Sequence, residues 1–575
     1  MFREARRLPK LQGIRAGLAR RGIEPWMVAL AAILVGAVAL RLWGIKYGMP
    51  FAYQIDEERI YVRKAVRMLD AGSLNPHYQH NPPLLTYLLE AIFALRYGGT
   101  KAHELVGSVP DRAQLFLIGR VVVALIGATG VWLMFVAGRR FFDRRTGLVA
   151  AALMAVAFLP VFYSHVALNN VPAMAGLTLS LIGTAGVLSR GERRDYLLAG
   201  AGLGVAVATK YIEGIALLPL LAAALLAPIG VGALGRRRGM AIALGTAAAC
   251  FVLLNPFALI KPAHFLGSLS TQEDATAIHK FGQDAGDALT TYLRTFTGGL
   301  GWVPVAAALA GAVLLLREDR RRAAVLLPVL PLFILYMSLQ TRYFGRWMLP
   351  VFPIVCLLAA YGATRLADLA AARIRRPSLA PALGAIAVAA LLAQGLIYSI
   401  HSDRVLSRPH TQNAARAWML DHVPSTAKVA SEPLRADAWD SPWRGVTSPR
   451  RFLGGESAYA RYLSPRLVDA YIRHGYCWVV VSSNYWGLAL SDPVIAERAA
   501  GYYDALERHG TVRYSASPWG DIRSPGGPGQ DRVPFDFDFS YDFYPLAYDR
   551  PGPMVLVYRL HAGRCSGPDG DRLRS

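Results

Sequence analysis

Residues 26–43 read WMVALAAILVGAVALRLW, an apolar run long enough to cross the roughly 30 Å hydrocarbon core of a membrane. Residues 1–25 are polar and arginine-rich, and no small-residue cleavage pattern follows, which predicts a cytoplasmic arm and not a signal peptide. Ten further apolar runs lie at 113–137, 147–165, 171–188, 196–209, 211–228, 239–258, 298–316, 323–340, 347–365 and 379–400. The chain is therefore predicted to be a polytopic α-helical membrane protein with about eleven transmembrane helices.

Composition supports this class. The chain has 575 residues, of which 54% are hydrophobic and 18% charged, which excludes soluble globular, coiled-coil, collagen-like and disordered proteins. The net charge of +23 would by itself suggest a nucleic-acid partner. The basic residues, however, form short clusters between apolar runs, which is the pattern of loops kept in the cytoplasm. No nucleic-acid partner is expected.

The arginine clusters give a topology. With the N-terminus inside, the inside loops are 138–146, 189–195, 229–238, 317–322 and 366–378, and each of them is basic. This works only if the short apolar segment 82–97 lies at the interface and does not cross. Residues 44–112 then form one long outside loop, residues 26–401 the membrane domain, and the C-terminus lies outside. The predicted location is a bacterial inner membrane.

Residues 402–575 are predicted to form a soluble α/β domain outside the membrane. Strands are expected at 428–431, 476–482, 511–515 and 553–560, with helices at 410–422 and 492–509. No nucleophile elbow, P-loop or dinucleotide fingerprint occurs there, so acceptor binding or covering of the active site is the expected role. Cys477 and Cys565 lie at strand ends in an oxidising compartment, and we hypothesise a disulfide between them.

The first outside loop holds the most informative polar residues. It begins QIDEERIY at 54–61, and Asp56 could be a helix N-cap, although three successive acidic residues after a span exceed what a cap needs. Residues 77–85 follow as HYQHNPPLL. Two histidines three apart could bind a metal, but such pairs are more often ordinary loop residues.

The Asp56-Glu57 pair after the first span, followed by the Pro82-Pro83-Leu84 turn, resembles glycosyltransferase family 39 of the GT-C superfamily, which includes protein O-mannosyltransferases and lipid A aminoarabinose transferases. The similarity extends over about residues 26–430. It continues at 162–172 (FYSHVALNNVP), 208–211 (ATKY), 255–257 (NPF), 342–350 (RYFGRWMLP) and 413–428 (NAARAWMLDHVPSTAK).

The resemblance implies transfer of a sugar from a polyprenyl-phosphate-linked donor to a protein, glycan or lipid acceptor on the outer face of the membrane. Asp56 matches the family's catalytic base and Glu57 its partner, and direct displacement would invert the anomeric configuration. Arg59 matches an arginine near the lipid phosphate. Further candidates for donor, phosphate or acceptor contacts are His80, Asn81, His165, Asn170, Lys210, Tyr211, His279, Lys280, Arg342 and Arg346.

Some of these candidates have simpler interpretations. Arg342 and Arg346 could extend to the interface as arginines at span ends often do, and His165 could be a buried structural histidine. His80-Asn81 replaces an acidic-Lys pair, and Asn169-Asn170 lacks the family's Asp. These departures change the substrate contacts and remove carboxylates, so no metal and no cofactor other than the lipid-linked donor is expected.

Three alternatives stay open at this point. A transporter would carry charges near the bilayer midplane and two related halves, and neither is evident. A non-catalytic envelope assembly or binding protein would retain the outside domain and lose the chemistry. An enzyme of the same class could transfer a whole oligosaccharide, which the sequence does not distinguish from transfer of one sugar.

Overall fold

The structure is a computed structural model that describes residues 24–54, 56–98, 109–228, 233–277, 282–283, 285–373, 380–433, 439, 441–446, 462–519, 546 and 548–566. The arm at 1–23 lies outside these residues. The α-helices up to the last span are α1 Pro25–Leu42, α2 Val62–Asp70, α3 Leu84–Tyr97, α4 Val109–Phe141, α5 Arg144–Val156, α6 Phe158–Tyr163, α7 Asn170–Ser189, α8 Arg193–Thr209, α9 Leu217–Leu225, α10 Arg236–Leu254, α11 Phe257–Ile260, α12 Pro262–Ala277, α13 Ala288–Gly299, α14 Trp302–Glu318, α15 Arg320–Leu326, α16 Val329–Ser338, α17 Phe352–Arg373 and α18 Ala380–Leu406.

The chain is a multi-pass membrane protein, but the predicted number of eleven spans is not confirmed. Among the described residues, seven helices are long and apolar enough to cross a membrane, or eight if α13 and α14, bent by 106°, form one broken span. The other predicted spans are helical but short or interrupted. For example, the run at 147–165 breaks at Ala157 between α5 and α6. The segment predicted as interfacial is the 14-residue helix α3.

Helix α7 lies at the centre of the bundle, and nearly all of its residues are buried. Small residues let its neighbour α8 approach closely: a Cβ added at Gly183 would lie 2.2 Å from the backbone nitrogen of Ala199. The same holds for Gly202, where a Cβ would lie 2.2 Å from the nitrogen of Ser180. Such contacts are the usual basis of helix association in a bilayer, where helices gain no hydrophobic driving force from meeting.

The predicted inside loops meet at one end of the bundle. Arg144 pairs with Glu24 at 2.7 Å, and Arg365 pairs with Glu318 at 2.8 Å. Arg321 donates to the backbone carbonyls of Leu188 and Leu226. These contacts join segments that precede or follow different spans, as the charge pattern requires. Which compartment this end faces stays a prediction.

The C-terminal region contains a five-stranded mixed sheet in the order β2-β1-β3-β5-β4, with β1 parallel to β2 and β3, and β5 antiparallel to β3 and β4. The sheet buries aromatic and branched side chains against its helices. Its elements are α19 Thr411–His422, β1 Lys428–Ser431, β2 Arg444–Val446, α20 Pro465–His474, β3 Trp478–Ser482, α21 Ser483–Ser491, α22 Ala496–His509, β4 Gly510–Ala516 and β5 Val555–Leu560.

The predicted strands and helices of this region are present, and the structure adds β2, α20 and α21 to them. The last span continues to Leu406, beyond the predicted boundary at 402. The first helix of the C-terminal region then begins at Thr411. Cys477 and Cys565 form a disulfide, as hypothesised. This bond ties the start of β3 to the short 3₁₀ turn Gly563–Cys565 after β5.

Candidate functional site

Asp56 and Arg346 form an ion pair at the end of the bundle opposite the arginine loops. Asp56 Oδ2 lies 3.3 Å from Arg346 Nη2, although 290 residues separate them in the chain. The aspartate side chain is 41% exposed, whereas the arginine side chain is 10% exposed. An accessible carboxylate therefore lies against a largely buried cation, so a bound molecule could contact both.

Local structure holds Asp56 in place. The side-chain oxygen of Gln54 accepts hydrogen bonds from the backbone N–H groups of Asp56 and Glu57, at 2.6 and 3.0 Å. Asp56 then precedes a five-residue π-helix, Glu57–Tyr61, a form that is rare and frequent at functional sites. The wide turn places the Tyr61 ring near Asp56, where burial and the neighbouring acidic groups raise the pKa of the phenol well above its usual value.

Glu57 has a different environment from Asp56. Its carboxylate is fully buried and binds the Arg120 guanidinium through two bonds of 2.7 Å. It also accepts the backbone N–H of Ala167 at 2.9 Å. Arg120 in turn donates to the carbonyls of Ile45 and Tyr47. Glu57, predicted as part of the catalytic pair, therefore has no surface that a substrate could reach, and its contacts tie the loop that carries Asp56 to α4 and to the segment before α7.

Arg346 is held by its own segment and by α7. It lies in a 3₁₀-helix, Gly345–Val351, and its guanidinium carbon lies 4.1 Å from the centre of the Phe344 ring. The Asn170 side chain donates to the backbone carbonyl of Arg346 at 3.5 Å and is itself buried. The Asn170 side chain therefore contacts the backbone of Arg346, a candidate phosphate ligand, and is not placed to contact a substrate itself.

Lys210 belongs to the same charged group. It lies at the junction of α8 and the 3₁₀-helix Tyr211–Ala216, close enough to Asp56 and Arg346 to interact with both electrostatically. Glu213, fully buried, lies one turn further on and interacts with Lys210. Neither oxygen of Glu213 has a hydrogen-bond partner in the part of the chain that the structure describes. Two cations, Lys210 and Arg346, therefore lie around the one accessible carboxylate of Asp56, with the buried Glu213 behind Lys210.

Aromatic and polar residues of loop one form a second side of the site. Burial raises the pKa of the Tyr78 phenol, an effect that the hydrogen bond from Asn81 opposes and the nearby Asp56 reinforces. The ring of His80 packs edge-on against Tyr78, and its Nδ1 lies 3.2 Å from the carbonyl of Ser268 on α12. Because the Tyr78 phenol stays protonated at neutral pH, it can donate a hydrogen bond near Asp56.

Three solved structures share this architecture. An Archaeoglobus fulgidus oligosaccharyltransferase tethered to an acceptor peptide aligns at TM-score 0.52 with 13% identity, covering 90% of this chain and 77% of that one. The same enzyme with an inhibitory peptide and a dolichol-phosphate aligns at 0.50 with 13% identity and the same coverage. ArnT from Cupriavidus metallidurans bound to undecaprenyl phosphate aligns at 0.50 with 14% identity, covering 94% and 99%.

A family model described as dolichyl-phosphate-mannose-protein mannosyltransferase matches residues 114–259. The chain has the GT-C fold. The fold that the sequence motifs imply is thus confirmed, and the family match supports the resemblance over residues 114–259. No curated protein sequence gives a significant match. In this GT-C chain the matched segment runs from α4 to α11, and therefore includes Arg120, His165 and Lys210 but neither Asp56 nor Arg346.

The remaining candidates of the GT-C chain are dispersed. His165 is fully buried, with Nδ1 2.9 Å from the carbonyl of Val161 and Nε2 2.9 Å from that of Trp43. These are the contacts of a structural histidine that joins the end of α1 to the segment after α6. Tyr211 donates to the carbonyl of Gln79 at 3.0 Å, which links loop one to the helix junction.

Arg59 is exposed on the π-helix, and Arg342 is half-buried before the 3₁₀-helix of Arg346. His279 and Lys280 lie outside the described residues. No three His, Cys, Asp or Glu side chains converge on a common point in the described ranges. The absence of such a cluster does not show how the reaction proceeds. That the protein needs no metal therefore stays a prediction.

Sequence reasoning missed several residues of the site. Arg120, Tyr61, Tyr78 and Glu213 all line it or support it. Arg120 offered a signal, because a charged residue inside an apolar run must find a partner. Glu213 offered the same signal, three positions after Lys210. Neither residue could be assigned a partner before the helices were packed.

Proposed function

We propose that the protein transfers a sugar from a polyprenyl-phosphate-linked donor to a hydroxyl group of an acceptor at the outer face of the membrane. The GT-C fold supports this, as do the lipid phosphates bound by two of the similar structures. The observation that carries the proposal is the accessible Asp56 carboxylate, 3.3 Å from the buried guanidinium of Arg346 and beside Lys210. This site places a carboxylate that can act as a base beside two cations that can bind a phosphate.

The proposed reaction is a single displacement. Asp56 accepts the proton of the acceptor hydroxyl as the hydroxyl oxygen attacks the anomeric carbon. A new glycosidic C–O bond forms, and the bond from the anomeric carbon to the phosphate oxygen breaks with its electron pair on that oxygen. Attack from the opposite face inverts the anomeric configuration. Polyprenyl phosphate leaves, and the Asp56 proton passes to solvent.

Arg346 and Lys210 would stabilise the leaving group. The phosphodiester of the donor carries one negative charge, and the released phosphate monoester carries up to two. Cations held before the reaction near the developing charge lower the barrier most, because they need no reorganisation at the transition state. Lys210 and Arg346 are both constrained by the surrounding helices, which meets this condition. Arg59, Arg342, His279 and Lys280 stay candidates for further donor or acceptor contacts.

Buried residues would position this site without contacting the substrate. Glu57 fixes the loop through Arg120, Asn170 supports the backbone of Arg346, and Tyr211 ties loop one to the Lys210 junction. His165 joins the first span to the segment that contacts Glu57. We propose these roles in place of the direct substrate contacts expected from the resemblance.

The test uses purified protein in detergent and a panel of radiolabelled polyprenyl-phosphate sugars. Asp56→Asn keeps the size of the side chain and removes the base, so turnover should fall roughly 10²- to 10⁴-fold while the donor still binds. Asp421→Asn, an exposed carboxylate on α19, is the control and should match wild type. If wild type consumes no donor in the panel with any acceptor class, the proposal fails. Equal activity of wild type and Asp56→Asn would remove Asp56 from the mechanism.

A further inference from the structure

The first helix of the C-terminal region, α19, contacts the segment immediately before Asp56. The amide of Asn413 donates from Nδ2 to the carbonyls of Gly48 and Met49, both at 3.0 Å. Its Oδ1 accepts a hydrogen bond from the hydroxyl of Tyr53. The Tyr53 ring stacks on His410 with centroids 4.0 Å apart. One asparagine side chain thus fixes three points within six residues of the catalytic loop.

Apolar contacts reinforce this first attachment. Phe51 is 5% exposed and belongs to the same hydrophobic cluster as Met419 of α19 and Trp478 of β3. The guanidinium of Arg416 lies 5.3 Å from the centre of the Phe51 ring. A residue of the membrane domain's first loop therefore completes the core of the C-terminal region. Gln54, which caps the turn at Asp56, follows three residues later.

A second attachment reaches the other partner of the ion pair. Asp492, 3% exposed after α21, accepts the backbone N–H of Gly282 at 3.0 Å through Oδ2. The adjacent Gln283 pairs with both backbone groups of Tyr343: its Nε2 donates to the carbonyl at 2.6 Å, and its Oε1 lies 3.3 Å from the nitrogen. Tyr343 is three residues before Arg346. The chain of contacts thus runs from the C-terminal region to the phosphate-side arginine.

We propose that the C-terminal region sets the geometry of the Asp56–Arg346 pair through these two attachments, with Asn413 and Asp492 as positioning residues. The inference rests on the proposed function. Asp56 and Arg346 belong to segments that follow different spans, and each segment is irregular, so span packing alone leaves both with freedom to move. A misplacement of about 1 Å at a reacting group can cost on the order of 100-fold in rate.

The two attachments predict opposite kinetic signatures. Asn413→Ala frees the base side, so kcat should fall roughly 10- to 100-fold while the KM for the donor stays within about twofold. Asp492→Asn keeps the side-chain size and leaves one acceptor oxygen for the two backbone N–H groups, of Gly282 and Val494, that the carboxylate accepts, which weakens the bond to Gly282. It frees the phosphate side, so the donor KM should rise about fivefold or more. Loss of folding alone would lower the active fraction in both variants without this split.

Hydrogen–deuterium exchange measures the attachments without relying on activity. Asn413→Ala should accelerate exchange in peptides covering residues 48–57 and leave 343–351 unchanged, and Asp492→Asn should do the reverse. Asp421→Ala, on the exposed side of the same helix as Asn413, should change neither. If Asn413→Ala does not fold, Tyr53→Phe repeats the test by removing one hydroxyl.

Unchanged exchange in both segments would overturn the inference, and so would kcat and donor KM values that stay at the wild-type level in both variants. Acceleration of both segments by each variant would also overturn it, because that pattern describes global loosening. If the exchange pattern appears but wild type transfers no sugar from any donor, the attachments stand and the proposed function fails. The two proposals can therefore fail separately.

Discussion

The buried pair of Glu57 and Arg120 offers the sharpest test of how the site is held. Both side chains are fully buried and joined by two bonds of 2.7 Å. Replacing Glu57 with Gln keeps the shape but removes the charge. In either orientation the amide then presents its NH₂ group to a donor of Arg120, and in one of the two it also faces the backbone N–H of Ala167.

The expected cost follows from the contacts that survive. Arg120 keeps its bonds to the carbonyls of Ile45 and Tyr47 and the Tyr47 ring 4.4 Å from its guanidinium, so the charge retains some compensation. Removing one partner of a buried ion pair costs about 3–5 kcal/mol. We expect Glu57→Gln to lower the free energy of unfolding by about 3 kcal/mol, the lower end of that range, for this reason. Because the same loop carries Asp56, kcat should fall as well.

The assay is thermal unfolding in one detergent, followed by intrinsic fluorescence. The matched control is Asp368→Asn, which breaks the exposed pair with Arg145 and should cost less than about 1 kcal/mol. The double variant Glu57→Gln/Arg120→Gln should be less destabilised than the sum of its single variants, by up to about 3 kcal/mol. An unfolding midpoint of Glu57→Gln equal to that of Asp368→Asn would refute the reasoning, and so would strict additivity in the double variant.

Three further predictions concern the rest of the fold. Cys565→Ser opens the disulfide, whose cysteines are 88 positions apart, and should cost about 4.6 kcal/mol by the loop-entropy relation. The measurement is the unfolding midpoint of the C-terminal region with and without reductant. Burial lowers the pKa of His410 to about 3 from 6.5, so the folded state favours the neutral ring. The free energy of unfolding should therefore fall as the pH drops from 6.5 towards 3, by up to about 1.4 kcal/mol per pH unit. His410→Asn keeps an N-cap acceptor for Gln412 and should flatten that slope; an unchanged slope would contradict the assignment. Gly183→Ala should destabilise α7–α8 packing by roughly 1–3 kcal/mol, whereas Gly245→Ala, with no atom within 4 Å of the added Cβ, should not, and equal midpoints would count against the packing argument.

Much of the secondary structure was predictable from local patterns. The apolar runs locate helices because a bilayer offers no partner for an unpaired backbone group, so each run must satisfy its own hydrogen bonds. The alternation of strands and helices after residue 410 was also predictable, and Cys477 and Cys565 were correctly paired from their positions at strand ends. The number of complete crossings was not predictable, because breaks such as Ala157 depend on how neighbouring helices pack.

The candidate site was predictable only in part. Asp56 and Arg346 were both named from the sequence motifs, and they form an ion pair. Glu57 was expected beside Asp56 in the chemistry, but it turns inward to Arg120. Adjacent residues on a helix point in different directions, and an inward-facing carboxylate survives only where a cation meets it.

The sequence by itself determined that the protein crosses a membrane many times, which segments are helical, where the arginine-rich loops lie and which loop carries the acidic residues. These properties follow from short-range periodicity and from the cost of burying charge. Only the tertiary structure decided which charges meet. Lys210, Arg346 and Asp56 come from three distant segments, and their approach depends on helix packing such as that at Gly183 and, as we propose, on the C-terminal region. Neither of these leaves a pattern in the local sequence.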